Sequence, residues 1–194
     1  MKYINITNAL RRWSLCSVCL VTVTVVLLAG CASQRGCYVG VQGGGMVYYE
    51  ERGKGEPLIL LHGHSLDRRM WDTQWKDFSA RYRTIRLDFR GYGLSSAMRE
   101  DLHTTHVDDV VALMDSLNYG KEAWAELRRK APVSVPLLVL RGETEGKTSR
   151  ARELDYVKDG EQITLPDCGH MMNMEQPQRF NATVLSFLSK HSKQ

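Results

Sequence analysis

The chain has 194 residues, 43% of them hydrophobic and 25% charged, enough for one domain with its own core. Its formal charge is +4, but the first thirty residues hold three of the 26 basic side chains (Lys2, Arg11 and Arg12) and none of the 22 acidic ones, leaving 23 against 22 in the rest. That near balance gives no argument for nucleic acid as a partner, and the five cysteines show no zinc-ligand spacing.

Residues 1–30 stand apart from the fold. A basic start, a charge-free apolar run from Trp13 to Leu28, and the small residues Ala29 and Gly30 describe a secretory signal peptide. The run is short for a membrane-spanning helix, although an uncleaved anchor is the alternative. Leu28-Ala29-Gly30-Cys31 resembles the bacterial lipobox. The resemblance implies acylation of Cys31, a lipidated tether over 31–36 and attachment to a membrane through the lipid. Ala32 rather than aspartate follows, which implies the outer membrane of a bacterial cell envelope. Cys16 and Cys19 would leave with the leader; Cys37 and Cys168 would remain, in a compartment that permits a disulfide.

From residue 37 to 192, strand and helix signals alternate. CYVGV and GMVYYEE read as two strands joined through Gly43-Gly44-Gly45. PLILLHG is an apolar run of buried-strand length. DRRMWDTQWKDFSARY has helical spacing, with Met70, Trp71, Trp75 and Phe78 on one side as core residues. RTIRLDFRG is a strand. In HTTHVDDVVALMDSLNYGK, the spacing of Val107, Val110, Val111, Met114 and Leu117 predicts a helix that Gly120 stops. EAWAELRRKA is a short helix, PLLVLRG and EQITLP are strands, and QPQRFNATVLSFLSKH is an amphipathic closing helix. The pattern predicts an α/β fold with a mostly parallel sheet flanked by helices.

Four of these segments, in order, resemble the α/β-hydrolase family. LILLHGHSLDRRMWD is similar to its strand, oxyanion loop and first helix. IRLDFRGYGLSS matches its Asp-x-Arg-Gly-x-Gly-x-Ser turn at Asp88, Arg90, Gly91, Gly93 and Ser95. VPLLVLRGETEG is similar to the strand that ends at the triad acid, and LPDCGHMMNMEQPQRFNATVLSFL to the histidine loop and last helix. The resemblance implies that the backbone N–H of His64 serves the oxyanion hole. It also implies His170 as general base and Glu145 as the carboxylate that orients it, against a solvated loop carboxylate beside Glu143. Asp88, Arg90 and Ser95 are expected to lock their turn by hydrogen bonds rather than to touch substrate.

Gly63-His64-Ser65-Leu66-Asp67 falls one residue short of the Gly-x-Ser-x-Gly elbow on which the family mounts its nucleophile, and Asp67 replaces the last glycine. Ser65 also precedes Asp88, whereas the elbow should follow it. Ser65 is therefore expected to be an oxyanion-loop residue or the N-cap of the next helix, not the nucleophile. No Gly-x-Ser-x-Gly occurs anywhere in the chain. The central nucleophile strand, elbow and cap are expected to be missing near residue 121, so that PLLVLRG either pairs with PLILLHG or leaves open edges that favour self-association.

Two functions follow. One is a truncated, lipid-anchored hydrolase, ancestrally a serine-type enzyme on small ester-like or lactone-like substrates, its activity undercut by the missing elbow. The other is a non-catalytic binding module or degenerate gene product on the same fold. No metal or organic cofactor is implied; His103 and His106, three apart with no evident third ligand, read as exposed polar residues.

Overall fold

The computed structural model describes residues 36–99, 104–118, 135–146 and 151–192. The proposed leader, Cys31, His103, Gly120 and the short helix expected near 121–131 lie outside the described residues.

β1 (Cys37–Gly40) and β2 (Met46–Arg52) form an antiparallel hairpin, with Cys37 opposite Tyr49. β2 also pairs antiparallel with β4 (Arg83–Leu87), and β4 pairs in parallel with β3 (Pro57–Leu60). The sheet order is β1-β2-β4-β3. A second sheet holds β5 (Leu137–Gly142) and β6 (Gly160–Leu165) in parallel. The first sheet is thus mixed, antiparallel at β1–β2 and β2–β4 and parallel at β3–β4, and the second is parallel. Among the described residues no strand pairs with the free edge of β3 or of β5. Of the two arrangements open to PLLVLRG, direct pairing with PLILLHG is not the one found. Leu137, Leu138, Val139 and Leu140 are all only half-buried, as expected of an apolar strand with a ladder on one edge.

The helices follow the sequence with two changes. Arg68–Trp71 is a 3-10 turn leading into α1 (Asp72–Ser79). Its N-cap is Asp67, whose carboxylate accepts the Arg69 N–H at 2.8 Å, so Ser65 is not the cap. Asp67 directly precedes the first helical residue and so reaches an orphan N–H, whereas Ser65 lies two residues farther back. α2 (His106–Ser116) starts from a capping box between Thr105 and Asp108. It ends before Gly120, where Asn118 takes the left-handed conformation at φ 57°. α3 (Met172–Glu175) and α4 (Pro177–His191) close the chain.

One face of the first sheet is apolar. Val47, Ile85 and Leu87 are fully buried against Val110, Leu113 and Met114 of α2. The opposite face, under α1, is charged. Glu50 and Arg86 stand directly across from each other in the β2–β4 ladder and pair at 2.7 Å. Arg86 stacks on Trp75 at 4.4 Å, and Arg68 closes the network on Glu50 at 2.9 Å. Burial opposes the Glu50 carboxylate, but the Arg68 and Arg86 guanidiniums outweigh it and hold its pKa below the ordinary glutamate value. Trp75 and Phe78 are buried and Trp71 half-buried. No disulfide joins Cys37, exposed, to Cys168, buried. Among the described residues no helix is long and apolar enough to cross a membrane.

Candidate active site

The chemistry-bearing residues sit at the carboxyl ends of parallel strands, where open α/β sheets place their sites. His64 follows β3, Asp88 follows β4, Glu145 follows β5 and His170 follows β6.

Glu145 and His170 come together. β5 ends at Gly142, and the chain then makes a 3-10 turn over Glu143–Glu145. A Cβ at Gly142 would overlap the carbonyl oxygens of Cys168 and Gly169, so only glycine lets this turn approach the histidine loop. Thr144 N–H donates to the Cys168 carbonyl at 3.1 Å, and Glu143 accepts the Asp167 N–H at 3.1 Å. Glu145, not Glu143, then reaches the imidazole: its Oε1 lies 2.5 Å from His170 Nδ1. A carboxylate at Nδ1 places the proton there and leaves Nε2 with its lone pair. The Glu145 side chain is 11% exposed and that of His170 83%, so the carboxylate is sheltered while the imidazole stands in water. Glu175 fixes the loop from the other side, accepting Gly169 N–H at 2.8 Å and Met171 N–H at 3.1 Å.

His64 and Ser65 are exposed, and Ser65 Oγ bonds its neighbour's Nδ1 at 2.8 Å. Ser65 has φ 64°, in the left-handed region, within a turn closed by Leu66 N–H to the Gly63 carbonyl at 3.3 Å. Ser65 is not joined to His170 or Glu145 by any hydrogen bond among the described residues. Cys168, two residues before His170, offers no substitute nucleophile. It is buried, its Sγ donates to the Leu165 carbonyl at 3.4 Å, and burial pushes its thiol pKa up, away from thiolate.

Asp88, Arg90 and Ser95 all bond within the protein. Asp88 Oδ1 accepts Arg68 N–H at 2.8 Å, and Oδ2 accepts Leu94 N–H at 2.9 Å and pairs with Arg68 Nη1 at 2.7 Å. Ser95 Oγ donates to the Asp88 carbonyl at 2.5 Å and accepts Tyr48 N–H at 2.8 Å. Arg90 is buried against Asp109 of α2, at 2.9 Å from Nε and 2.7 Å from Nη2, with Thr104 at 2.7 Å. Gly91 and Gly93 have φ 88° and 53°, and a Cβ at Gly93 would overlap the Asp88 carboxylate. The turn thereby ties β4 to the 3-10 turn that follows His64 and Ser65.

Three residues escaped the sequence reading. His62 is buried at the end of β3 and bonds the backbone with both ring nitrogens. Gln74 and Asn173 join α1 to α3. All three are polar residues inside apolar periodicity, a signal of buried hydrogen bonding that names no partner. Among the described residues no group of three or more His, Cys, Asp and Glu side chains is placed to hold a metal ion.

The sequence model of the Alpha/beta hydrolase family matches residues 58–123. An (E)-2-((N-methylformamido)methylene)succinate hydrolase of Acinetobacter baylyi is 38% identical over 74 residues, 38% of this chain and 28% of that protein. Human epoxide hydrolase 4 is 34% identical over 94 residues, 44% of this chain and 25% of that protein. The chain thus matches only about a quarter of the length of these relatives. A solved esterase from Thermogutta terrifontis superposes with a TM-score of 0.65 at 19% identity, covering 81% of this chain and 100% of that one. Est816, an N-acyl homoserine lactone degrading enzyme, gives 0.61 at 18% identity, covering 78% and 100%.

Proposed function

The chain has the α/β-hydrolase fold, and from that premise we propose that it is a lipid-anchored envelope protein retaining part of an acyl-transfer site. The oxyanion loop and the base–acid pair remain; the serine nucleophile does not. The observation that carries this reading is the 2.5 Å contact between His170 Nδ1 and Glu145 Oε1 in a chain without Gly-x-Ser-x-Gly.

The chemistry left to such a site is general-base hydrolysis of small, activated esters or lactones. His170 Nε2 takes a proton from water as the oxygen attacks the carbonyl carbon, and Glu145 stabilises the imidazolium that forms. The His64 N–H donates to the oxyanion. On collapse the C–O bond breaks, and the leaving alkoxide takes the proton back from Nε2. General-base assistance contributes roughly 10²–10⁴-fold. The exposed imidazole belongs at the lower end, since fixed dipoles act most strongly where water is excluded. Small ester and lactone substrates are also what two structural neighbours act on by their descriptions, an esterase and an N-acyl homoserine lactone degrading enzyme.

The second reading, a non-catalytic binding module, is favoured by the same 83% exposure of His170. Nitrophenyl ester and N-acyl homoserine lactone hydrolysis by the full chain decides between them. A slow rate removed by His170→Ala and kept by Ser65→Ala supports residual hydrolysis; a rate indifferent to His170→Ala supports the binding module.

A further inference from the structure

His62 is 6% exposed and packed between two rings, Phe89 at 4.8 Å and Tyr92 at 5.1 Å between centroids. Its Nε2 lies 3.0 Å from the Phe89 backbone nitrogen and its Nδ1 2.9 Å from the Gly63 carbonyl oxygen. The chemistry of the partners sets the tautomer. A backbone N–H only donates, so Nε2 must be bare; a carbonyl only accepts, so Nδ1 must carry the proton. The neutral ring therefore joins the first residue after Asp88 to the peptide on the far side of β3.

That peptide is Gly63–His64. It is planar and trans, so its C=O and N–H point in opposite directions. Whatever fixes the Gly63 oxygen therefore aims the His64 N–H the opposite way. Two donors hold it: the His62 Nδ1–H at 2.9 Å and, more loosely, the Leu66 N–H at 3.3 Å. The Leu66 bond belongs to an exposed turn that runs through the strained Ser65, whereas His62 is buried and anchored to β4. A Cβ added to Gly63 would meet nothing within 4 Å, so side-chain packing there does not fix the plane.

We infer that His62 is a positioning residue: its buried neutral ring fixes the Gly63–His64 peptide plane and so aims the backbone N–H of His64. This rests on the proposal that the His64 N–H is the oxyanion donor, but the aiming itself can be measured without any turnover.

The test is residual dipolar coupling of the labelled full-length chain, with the His64 N–H coupling read against those of Ile85, Arg86 and Leu87 in β4. His62→Phe keeps the ring and removes both hydrogen bonds. The expected result is a changed His64 coupling and faster exchange of the Phe89 amide, with the β4 couplings unchanged. His62→Gln, which carries one donor and one acceptor, is expected to restore both. An unchanged His64 coupling in folded His62→Phe overturns the inference. If that variant does not fold, the ring nitrogen shifts of the unaltered protein still decide: protonated Nδ1 with bare Nε2 supports the latch, and protonated Nε2 overturns it. Absence of His170-dependent hydrolysis would reject the proposed function while leaving these couplings as they are.

Discussion

Asn173 and Gln74, 99 residues apart, bond each other in both directions: Gln74 Nε2 donates to the Asn173 carbonyl at 2.8 Å, and Asn173 Nδ2 donates to Gln74 Oε1 at 3.3 Å. Asn173 Nδ2 also donates to the Met70 carbonyl at 2.8 Å, and Thr73 Oγ1 donates to the Asn173 carbonyl at 3.2 Å. Asn173 is three residues beyond His170, and Met70 lies in the 3-10 turn three residues beyond Asp67. The pair therefore joins the His170 loop to the helical segment that follows His64 and Ser65. With β3 and β5 in separate sheets, this buried amide cluster does part of what a continuous sheet would do.

Asn173→Ala should accordingly cost about 2 kcal/mol, because the Met70 carbonyl and Gln74 Oε1 both lose the Nδ2 donor, while the Gln74 Nε2 bond to the Asn173 backbone carbonyl stays. Urea unfolding measures it, and any His170-dependent hydrolysis should fall in the folded variant. An unchanged midpoint would mean that the two loops are held by other contacts.

Ser65 holds φ 64° without being glycine, a conformation that costs a side-chain-bearing residue about 1 kcal/mol or more. Ser65→Gly should therefore raise stability by about 1 kcal/mol, less the extra chain entropy of glycine, and leave ester hydrolysis as it was. Loss of a robust hydrolysis in this variant would identify Ser65 as a relocated nucleophile.

Glu50 is buried between two guanidiniums at 2.9 and 2.7 Å. Glu50→Gln should cost about 2 kcal/mol: Arg86 keeps Asp72 at 2.5 Å and Arg68 keeps Asp88 at 2.7 Å, but both lose the charge-assisted hydrogen bonds to the buried carboxylate between them. The same pair sets an acid limit. The folded pKa of Glu50 is depressed, so its contribution is fully present above the unfolded value of about 4.3 and is lost as pH falls toward the folded value. Asp67 adds to this, its carboxyl held down to about 2, first by the hydrogen bond from Arg69. The melting temperature should be steady from neutral pH to about 5 and fall below about 4. In Glu50→Gln that acid slope should be shallower.

Cys31→Ala should abolish membrane attachment through lipid, given the charge-free run before Leu28-Ala29-Gly30-Cys31. The mature mass reads the outcome: an acylated species beginning at residue 31 supports the anchor, and a product of unchanged mass and unchanged attachment rejects it.

Among the described residues no strand pairs with the outer edges of β3 and β5, and open strand edges template other strands. A broad, weakly cooperative melt and concentration-dependent self-association are expected, since open edges weigh against the roughly 5–15 kcal/mol that an ordinary domain has in total. Sedimentation and calorimetry read both; a sharp two-state melt of a monomer would count against open edges.

What the sequence determined by itself was local. The apolar run of PLILLHG, the spacing of Val110, Met114 and Leu117, and the glycines of the β1–β2 turn each carry their conformation in neighbouring residues, although Val107 of the expected stripe is exposed and Leu113, outside it, is fully buried. The order of four motifs was equally legible, and with it the α/β-hydrolase fold. Tertiary structure decided whatever depends on a distant partner. Arg86 looks like a surface residue of a strand until Glu50 stands across the ladder and Trp75 lies beneath it. Asp67 rather than Ser65 caps the 3-10 turn before α1 because its carboxylate can reach the Arg69 N–H. Glu145 rather than Glu143 meets His170 because Gly142 lets one turn close on another 25 residues away. The reason is common to all three: periodicity encodes which face a residue takes, whereas hydrogen-bond partners are chosen by chain geometry between segments far apart in sequence.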